Sequence, residues 1–296
     1  MPDAAQLARF EKGRGFIAAL DQSGGSTPDA LRRYGVDESQ YRDEEEMLER
    51  IHAARSRVLT SSAFTGDRIL GAILFDGTLD RTVDGIGVAA YLWKVKGILP
   101  FLKIDHGLDD PRDGVQTMRE INDLDGLLAH AADRGVFGTK ERSLVHAADP
   151  IGIARVVAQQ IQVAEHVLAA GLVPILEPEI DIRIPDKQRA EELLKAQLLA
   201  QLDALPEAGR VAVKLTLPSV DGFYGELVDH PRVARVVALS GGYGRDEANA
   251  RLARNPGVIA SFSRALLDGL AVSQSDDEFT RTLDASIESI ARASRT

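Results

Sequence analysis

Several common building blocks of protein function are missing from this 296-residue chain. It has no cysteine, which excludes a disulfide framework, a thiol nucleophile and a cysteine zinc site. Its six histidines show no H-E-x-x-H or other tight metal spacing, and the sequence has no Walker motif or dinucleotide fingerprint. We therefore expect neither a bound metal nor a cofactor.

Membrane signals and basic residues are also scarce. No apolar run reaches the roughly 18 residues of a transmembrane helix, and residues 1–15 lack the apolar core of a signal peptide. Lysines and arginines number 35 against 45 aspartates and glutamates, which gives a formal net charge of −10. This balance argues against binding to nucleic acid or to an anionic membrane, so any anionic ligand must be held by a local cationic cluster. We expect a cytoplasmic protein.

What the chain does contain is a regular alternation of short apolar runs with longer helical patterns, which is typical of a parallel sheet wrapped by helices. Eight runs predict strands, at residues 16–20, 69–74, 99–104, 136–139, 172–176, 211–215, 233–239 and 258–261. Helices are predicted at residues 44–59, 88–95, 124–132, 153–170, 187–205, 246–253, 264–270 and 277–293. Because no linker divides the chain, we predict a single (β/α)₈ TIM barrel over residues 1–296 rather than a doubly wound open sheet.

Polar side chains lie at the carboxyl end of nearly every predicted strand. In a barrel those ends meet on one face, where active sites are built. We therefore expect the following residues to converge: Asp21, Ser23, Ser26, Lys103, Asp105, Lys140, Arg142, Glu177, Glu179, Lys214, Ser240, Gly241, Gly242, Ser261 and Arg264.

The most unusual of these residues is Lys214, a single lysine inside the apolar run Val211-Ala-Val-Lys-Leu-Thr-Leu-Pro218. Strand alternation places Lys214 on the same face as Ala212 and Thr216. Burying an ammonium without a partner is costly, so two interpretations are open. The lysine is either a structural residue paired with a buried carboxylate or a desolvated amine that attacks a carbonyl. Its place among the other strand-end residues favours the catalytic interpretation.

Glu177 and Glu179 lie two residues apart, hence on the same side of an extended strand end. Their mutual repulsion is expected to raise the pKa of one of them, which would then serve as a general acid and base. The simpler interpretation is that they neutralise Lys140 and Lys214, and both interpretations can hold together.

The remaining cations are also open to two interpretations. Lys140 and Arg142 share a side and are either part of the site or a solvated basic loop. Lys103 and Asp105 fit an ordinary ion pair in the barrel core equally well. Lys103 is expected to stay charged beside Asp105, and Lys140 beside the adjacent Glu141 and the paired Glu177 and Glu179. Only eight residues of the chain are lysine, and three of them at strand ends favour a functional interpretation.

Two serine and glycine loops are candidate anion sites. Ser240-Gly241-Gly242 offers backbone N–H groups at close approach, and Arg264 can supply a bidentate cation to a phosphate. Barrels commonly hold a phosphate at the loops after strands seven and eight, although ordinary turns have the same composition. Ser23-Gly-Gly-Ser26 is a comparable loop on the far side, which would suit a substrate phosphorylated at both ends.

Seven motifs, taken in order, resemble those of class I fructose-1,6-bisphosphate aldolase in its shorter bacterial form. The resemblance covers essentially the whole chain. The motifs are Phe16-Ile-Ala-Ala-Leu-Asp-Gln-Ser-Gly-Gly-Ser26, Phe101-Leu-Lys-Ile-Asp105, Gly138-Thr-Lys-Glu-Arg142, Pro174-Ile-Leu-Glu-Pro-Glu179, Val213-Lys214, Leu239-Ser-Gly-Gly242 and Ser261-Phe-Ser-Arg264.

This resemblance implies a metal-independent lyase of glycolysis and gluconeogenesis. It would cleave fructose 1,6-bisphosphate reversibly, through a Schiff base, to dihydroxyacetone phosphate and glyceraldehyde 3-phosphate. Lys214 would form the Schiff base and Glu177 would be the general acid and base, with Asp21, Lys140 and Glu179 balancing charge around them. The C1 phosphate would lie at Ser240, Gly241, Gly242 and Arg264, in the same region as Ser261. The C6 phosphate would lie near Ser23, Ser26, Lys103 and Arg142.

The chain departs from the family pattern at two places. It ends Ala291-Arg-Ala-Ser-Arg-Thr296 without the terminal tyrosine that assists proton exchange in animal members, so another group must do that step or the step is slow. His106 stands where a second lysine is expected, which weakens the predicted grip on the distal phosphate. Two alternatives remain, a Schiff-base barrel aldolase that acts on a sugar monophosphate and a catalytically silent scaffold. The sequence leaves open a homo-oligomer, tolerance for tagatose bisphosphate and the direction of flux.

Overall fold

Eight parallel strands close into a barrel in the computed structural model, which describes residues 3–205 and 209–296. Each strand pairs with the next around the ring, and the third pairs with the fourth to complete it. The predicted TIM barrel is therefore confirmed. The strands are β1 (Phe16–Ala19), β2 (Ile69–Phe75), β3 (Leu99–Lys103), β4 (Gly138–Val145), β5 (Val173–Ile180), β6 (Val211–Thr216), β7 (Val233–Leu239) and β8 (Val258–Phe262).

Helices connect the strands and cover the outside of the barrel. Pro150–Ala169 shows why such a helix begins and ends where it does, because the Asp149 side chain accepts from the Ile151 and Gly152 N–H groups and Gly171 adopts a φ of 80° beyond its last turn. The α-helices are α1 (Ala4–Lys12), Thr27–Arg33, Glu44–Thr60, Asp76–Leu79, Val88–Ala90, Leu124–Asp133, Pro150–Ala169, Lys187–Ala204, Gly225–Val228, Arg245–Leu252, Arg264–Leu267 and Asp276–Ala293.

Smaller elements complete the chain. A π-helical segment spans Tyr91–Lys96, and 3₁₀ turns span Gly24–Ser26 and Glu38–Gln40. Thr82–Val83 and Ile86–Gly87 form a two-stranded hairpin, while Val115–Gln116 pairs antiparallel with the end of β4. Within the described ranges, no helix is long and apolar enough to cross a membrane.

Several predicted bounds were wrong, most of all at β4 and β5. These strands were predicted to end at residues 139 and 176, but they continue in register to Val145 and Ile180. The apolar run stops because the inner face changes from core to polar cavity, while the backbone ladder goes on. The helix predicted at 88–95 is a short α-helical turn followed by the π-helical segment, and the one predicted at 264–270 ends at Leu267.

The barrel interior is filled at its amino-terminal end and polar at its carboxyl end. Ile17, Ile73, Ile175 and Val237 point inward and are buried, as is Ala212, while Val211 and Val213 pack outward against the helices. This alternation along β6 confirms the predicted inward face of Lys214.

The amino-terminal end of the barrel is closed by α1. Phe10 is fully buried, and its ring centroid lies 5.3 Å from that of Phe101 and 5.5 Å from that of Phe137. Arg235 donates to the Phe10 carbonyl oxygen at 2.6 Å and to that of Gly13 at 3.1 Å, which fixes α1 to β7. In the part of the chain that the structure describes, α1 thus covers this end, and the polar interior opens at the carboxyl ends of the strands.

Candidate active site

A cavity of about 740 Å³ opens at the carboxyl ends of the strands. Every residue predicted for the site lines this cavity except Gly242, which lines an adjoining cavity that also includes Ser26 and Arg264. Residues more than 240 positions apart in the sequence thus meet on one face, as the strand-end rule predicts.

Lys214 lies in β6 at the floor of the cavity, and its side chain is 5% exposed. Its Nζ is 2.8 Å from Glu177 Oε1 on the neighbouring strand β5. Glu177 is buried as well. The structural interpretation of Lys214, a lysine paired with a buried carboxylate, is therefore satisfied, and the same contact brings an acid–base group into hydrogen-bond reach of the amine.

Lys140 is surrounded by carboxylates. Its Nζ lies 2.7 Å from Asp21 Oδ2, 3.0 Å from Glu177 Oε2 and 3.7 Å from Asp105 Oδ2. Burial alone would lower the pKa of Lys140, but these three carboxylates outweigh it and hold that pKa above its ordinary value. Lys140 is therefore a fixed cation.

The same ion pairs act on the carboxylates. Burial acts to raise the pKa values of Asp21 and Glu177, but Lys140 and Lys214 together bring both below their ordinary values. Repulsion was predicted to raise the pKa of one of the two glutamates, and for Glu177 the shift is in the opposite direction. Glu179 is bound instead to a cation of its own, since its Oε2 lies 2.6 Å from Arg142 Nε.

Two further sequence expectations concern Lys103 and Glu141. Lys103 Nζ lies 2.8 Å from Asp105 Oδ1, so the expected ion pair forms at the cavity wall. Lys140 was expected to stay charged beside Glu141 and the paired glutamates; Glu177 does contact Lys140, whereas the part of this prediction that concerns Glu141 was wrong. Glu141 alternates with Lys140 and Arg142 along β4, does not line the cavity, and is fully buried with neither carboxyl oxygen hydrogen-bonded to a described residue.

The loop after β7 and the end of β8 form the candidate anion site. Gly241 and Gly242 have φ values of 61° and 124°, and a Cβ on Gly241 would come within 2.7 Å of Ile182. Only glycine fits this left-handed turn under Ile182 without displacing it. The Arg264 guanidinium forms no hydrogen bond or ion pair with the described residues, and the buried Ser261 hydroxyl likewise has no partner there. These groups are available to a ligand.

On the opposite side, the first loop forms a short 3₁₀ turn. The Ser26 hydroxyl donates to the Ser23 carbonyl at 2.9 Å and accepts from the Ser23 N–H at 3.1 Å. Both serines line the cavity, with the paired Lys103 and Arg142 nearby on its wall. Among residues 3–205 and 209–296, no group of three or more histidines or carboxylates is arranged to hold a metal ion.

Sequence reasoning missed several groups around the cavity. Gln22, Asp76, Ser263 and Arg119 also line it. The first three lie next to strand ends and could have been found by the same rule, whereas Arg119 comes from the segment before Leu124–Asp133 and has no local signal. Behind the wall, buried Arg55 donates to the Gln22 carbonyl and to Thr78 Oγ1, and burial lowers the pKa of Arg55 to about 10.

The chain is similar to known proteins along essentially its whole length. The sequence model of the family described as fructose-bisphosphate aldolase class-I matches residues 3–204. The chain is 52% identical over 295 residues to the fructose-bisphosphate aldolase class 1 of Synechocystis sp., covering 100% of this chain and 98% of that protein. It is 51% identical over 289 residues to the corresponding enzyme of Porphyromonas gingivalis, covering 98% of each.

Solved structures share the fold at lower sequence identity. A fructose-bisphosphate aldolase from Plasmodium falciparum superposes with a TM-score of 0.75 at 21% identity, covering 98% of this chain and 94% of that one. The family match and the full-length relatives confirm both the predicted family and its lyase activity. This chain therefore belongs to the class I fructose-bisphosphate aldolases.

Proposed function

We propose that this aldolase cleaves fructose 1,6-bisphosphate through a Schiff base on Lys214, with Glu177 moving the protons. The observation that carries the proposal is the contact of 2.8 Å between Lys214 Nζ and Glu177 Oε1, on a carboxylate whose other oxygen lies 3.0 Å from Lys140. A nucleophile within hydrogen-bond reach of a base that a third group orients is the usual arrangement for covalent catalysis.

Lys214 suits the role better than the other two lysines at the site. Lys140 is held by three carboxylates that raise its pKa, and Lys103 is bound by both the carboxylate and the backbone carbonyl oxygen of Asp105, so neither amine is free to attack. Among the described residues, Lys214 has one carboxylate partner, Glu177, which it shares with Lys140. Transfer of the Lys214 proton to Glu177 gives a neutral amine while Lys140 keeps its charge.

That transfer begins a balanced sequence of steps. The Lys214 amine attacks the C2 carbonyl carbon, and the nitrogen loses a proton to the former carbonyl oxygen to give a carbinolamine. Protonated Glu177 then gives its proton to this hydroxyl group, which leaves as water and forms the iminium. The Glu177 carboxylate, whose pKa is held low by Lys140 and Lys214 against the effect of burial, next removes the C4 hydroxyl proton.

The iminium takes the electron pair of the C3–C4 bond as that bond breaks, which leaves an enamine and releases glyceraldehyde 3-phosphate. C3 of the enamine takes up one proton, which is balanced by release of the proton that Glu177 removed from the C4 hydroxyl, and water then hydrolyses the imine to release dihydroxyacetone phosphate and restore Lys214. Asp21 and Glu179 keep Lys140 and Arg142 paired, so that the charges around the reacting atoms stay balanced throughout. No step requires a metal.

The two phosphates occupy opposite ends of the cavity in this proposal. The C1 phosphate is bound by Arg264, Ser261 and the loop of Ser240, Gly241 and Gly242, where the arginine and the Ser261 hydroxyl have no partner among the described residues. The C6 phosphate lies near Ser23, Ser26, Lys103 and Arg142. Because both of these cations already have carboxylate partners, this end should bind its phosphate less strongly.

The competing function is a Schiff-base aldolase for a sugar monophosphate. Measuring cleavage of fructose 1,6-bisphosphate, fructose 6-phosphate and 2-deoxyribose 5-phosphate by the same preparation separates the two. The proposal expects the bisphosphate to be cleaved with the highest kcat/KM, because only it fills the Arg264 end and the Lys103 end together. A preference for either monophosphate would overturn it, and absence of all turnover would leave the catalytically silent scaffold.

The remaining proposals concern the molecule as a whole. We infer that residues 1–296 act as one barrel domain and that the protein works in the cytoplasm on small sugar phosphates. The net charge of −10 supports the absence of nucleic-acid and membrane partners.

A further inference from the structure

The ladder between β5 and β6 is short, although these are the strands that carry Glu177 and Lys214. The described pairs are Ile175 with Ala212 and Leu176 with Val213. On its other side β5 pairs with β4 over its whole length, from Val173 to Ile180. Glu177 and Lys214 are thus the first residues beyond the point where the two strands stop pairing.

Pro178 explains the interruption. Successive residues of a strand direct their N–H groups to alternate neighbours, and the Ile180 N–H is directed to β6, where it meets Thr216. The backbone nitrogen of residue 178, two positions earlier, is therefore directed to β6 as well. Because this residue is a proline, it has no N–H to donate. The ladder cannot continue at this position.

Thr216 closes the gap with its side chain. Its Oγ1 accepts from the Ile180 N–H at 2.9 Å and donates to the Ile180 carbonyl oxygen at 2.8 Å, so one hydroxyl serves both backbone groups. The Thr216 carbonyl oxygen accepts from the Tyr224 hydroxyl at 3.2 Å, and the next N–H, of Leu217, donates to Leu239 of β7 at 3.3 Å. The backbone of β6 around Thr216 is therefore also held in place by bonds to Tyr224 and to β7.

We propose that the Thr216 hydroxyl is a positioning element that sets the distance between Glu177 and Lys214. The ladder at Leu176 and Val213 ties β5 to β6 immediately before these residues, and Thr216 ties the strands again just after them. Thr216 is 1% exposed and does not line the cavity, so it acts through the two strands and not on substrate.

If the Thr216 hydroxyl is lost, we therefore expect kcat to fall while KM for the substrate stays the same. The Lys214 proton crosses the contact of 2.8 Å to reach Glu177, and Glu177 then protonates the carbinolamine formed on the same nitrogen, so a looser pair of strands slows both steps. The phosphate-binding groups lie on other strands and keep their places. This inference rests on the roles proposed above for Lys214 and Glu177.

The test compares Thr216→Val, which keeps the shape and removes the hydroxyl, with Thr216→Ser, which keeps the hydroxyl. Thr139→Val is the matched control, because Thr139 is a fully buried barrel threonine whose hydroxyl has no partner among the described residues. Wild-type protein is first treated with dihydroxyacetone phosphate and borohydride. Failure to label Lys214 at this stage would refute the proposed Schiff-base chemistry. The Thr216 proposal is tested separately, by the variants.

With labelling established, Thr216→Val is expected to lower kcat at least tenfold and to leave KM for fructose 1,6-bisphosphate within twofold. Hydrogen exchange at the Ile180 amide should become faster in this variant. Thr216→Ser and Thr139→Val should keep kcat within threefold of wild type. The proposal is overturned if folded Thr216→Val keeps its kcat, or if its defect is in KM. If Thr216→Val does not fold, Thr216→Ser decides, since a tenfold loss of kcat in that variant contradicts a role for the hydroxyl.

Discussion

At the residue scale, charge balance explains how so many ionised groups are buried together. Three ammonium groups, on Lys103, Lys140 and Lys214, face the carboxylates of Asp21, Asp105 and Glu177. Buried charges are tolerated when they are paired and hydrogen-bonded, and removing one partner leaves an expensive uncompensated charge. Arg264 differs from these residues because its guanidinium has no partner among the described residues, which is why we assign it to the ligand.

Arg264→Ala should lower kcat/KM for fructose 1,6-bisphosphate at least about tenfold. A charge-assisted hydrogen bond to phosphate is worth about 1.5–3 kcal/mol, and the C1 phosphate would lose this contact. Steady-state kinetics of the purified variant give the answer. Arg189→Ala, which removes an exposed arginine of Lys187–Ala204, is the control and should behave as wild type. Unchanged kinetics in folded Arg264→Ala would show that the phosphate is bound elsewhere.

Glu141→Gln should stabilise the protein above pH 4.5. Burial and the charges of Asp105 and Glu177 raise the pKa of Glu141 well above its ordinary value of 4.5, although Lys140 acts the other way. The unfolded chain therefore ionises first as pH rises, and folded wild type loses about 1.4 kcal/mol per pH unit until its own Glu141 ionises. The glutamine side chain of the variant cannot ionise, so the variant avoids this loss.

The measurement is urea unfolding at several pH values from 4 to 8. The stability difference between Glu141→Gln and wild type should be small at pH 4 and should grow with pH. Exposed Glu120→Gln is the control, and its difference from wild type should stay flat. A constant difference for Glu141→Gln across this range would mean that Glu141 ionises normally in the folded protein.

At the element scale, the sequence predicted the eight strands and the inward face of Lys214 but not the lengths of β4 and β5. The missed parts, 140–145 and 177–180, carry Lys140, Arg142, Glu177 and Glu179 on a polar inner face, which by hydrophobicity resembles a loop. Pro178 argued further against a strand. What holds these parts extended is pairing with distant strands and the Thr216 hydroxyl, and neither is visible in local sequence.

The α1 helix was not predicted, because a short polar helix with one buried aromatic residue resembles a surface segment. Phe10→Ala should lower the free energy of unfolding by about 3–5 kcal/mol, since it empties the space between Phe101 and Phe137. Catalytic constants per folded molecule should not change, because Phe10 lies at the opposite end of the barrel from the site. Chemical denaturation and kinetics test the two halves of this prediction separately.

Ile151→Ala is the control for that experiment, because its parent side chain is 71% exposed and should contribute little to stability. If Phe10→Ala unfolds at the same denaturant concentration as wild type, α1 does not seal the barrel. If Phe10→Ala is as stable as wild type but has a lower kcat, the proposed division between a sealing end and a catalytic end of the barrel is contradicted.

At the scale of the whole molecule, an acidic protein concentrates cations in one place. The net charge is −10, yet lysines and arginines from several of the eight strands or their ends meet in the same cavity. The sequence motifs were sufficient to predict this convergence because barrel topology brings all strand ends together. The pairing of each cation with its carboxylate was less predictable, because it depends on side-chain geometry. Glu141 does not pair with Lys140 as expected, and the cations near Glu177 lower its pKa.

Activity should survive prolonged treatment with EDTA. In class I chemistry the iminium on Lys214 accepts the electrons of the breaking bond, so no metal ion is needed as the electrophile. Turnover of fructose 1,6-bisphosphate before and after chelation and dialysis measures this directly. Loss of activity that added Zn²⁺ restores would be incompatible with the mechanism proposed here.

The identity of the imine-forming lysine is the central claim. Dihydroxyacetone phosphate is incubated with the enzyme, the imine is reduced with borohydride, and the modified peptide is located by mass spectrometry. We expect a single adduct on Lys214, in the peptide that contains residues 211–218, because three carboxylates keep Lys140 charged and Lys103 is bound by the carboxylate and the backbone carbonyl oxygen of Asp105. Lys214→Met should abolish the adduct while the barrel stays folded. An adduct on Lys140 or Lys103, or no adduct under conditions of turnover, would contradict the account.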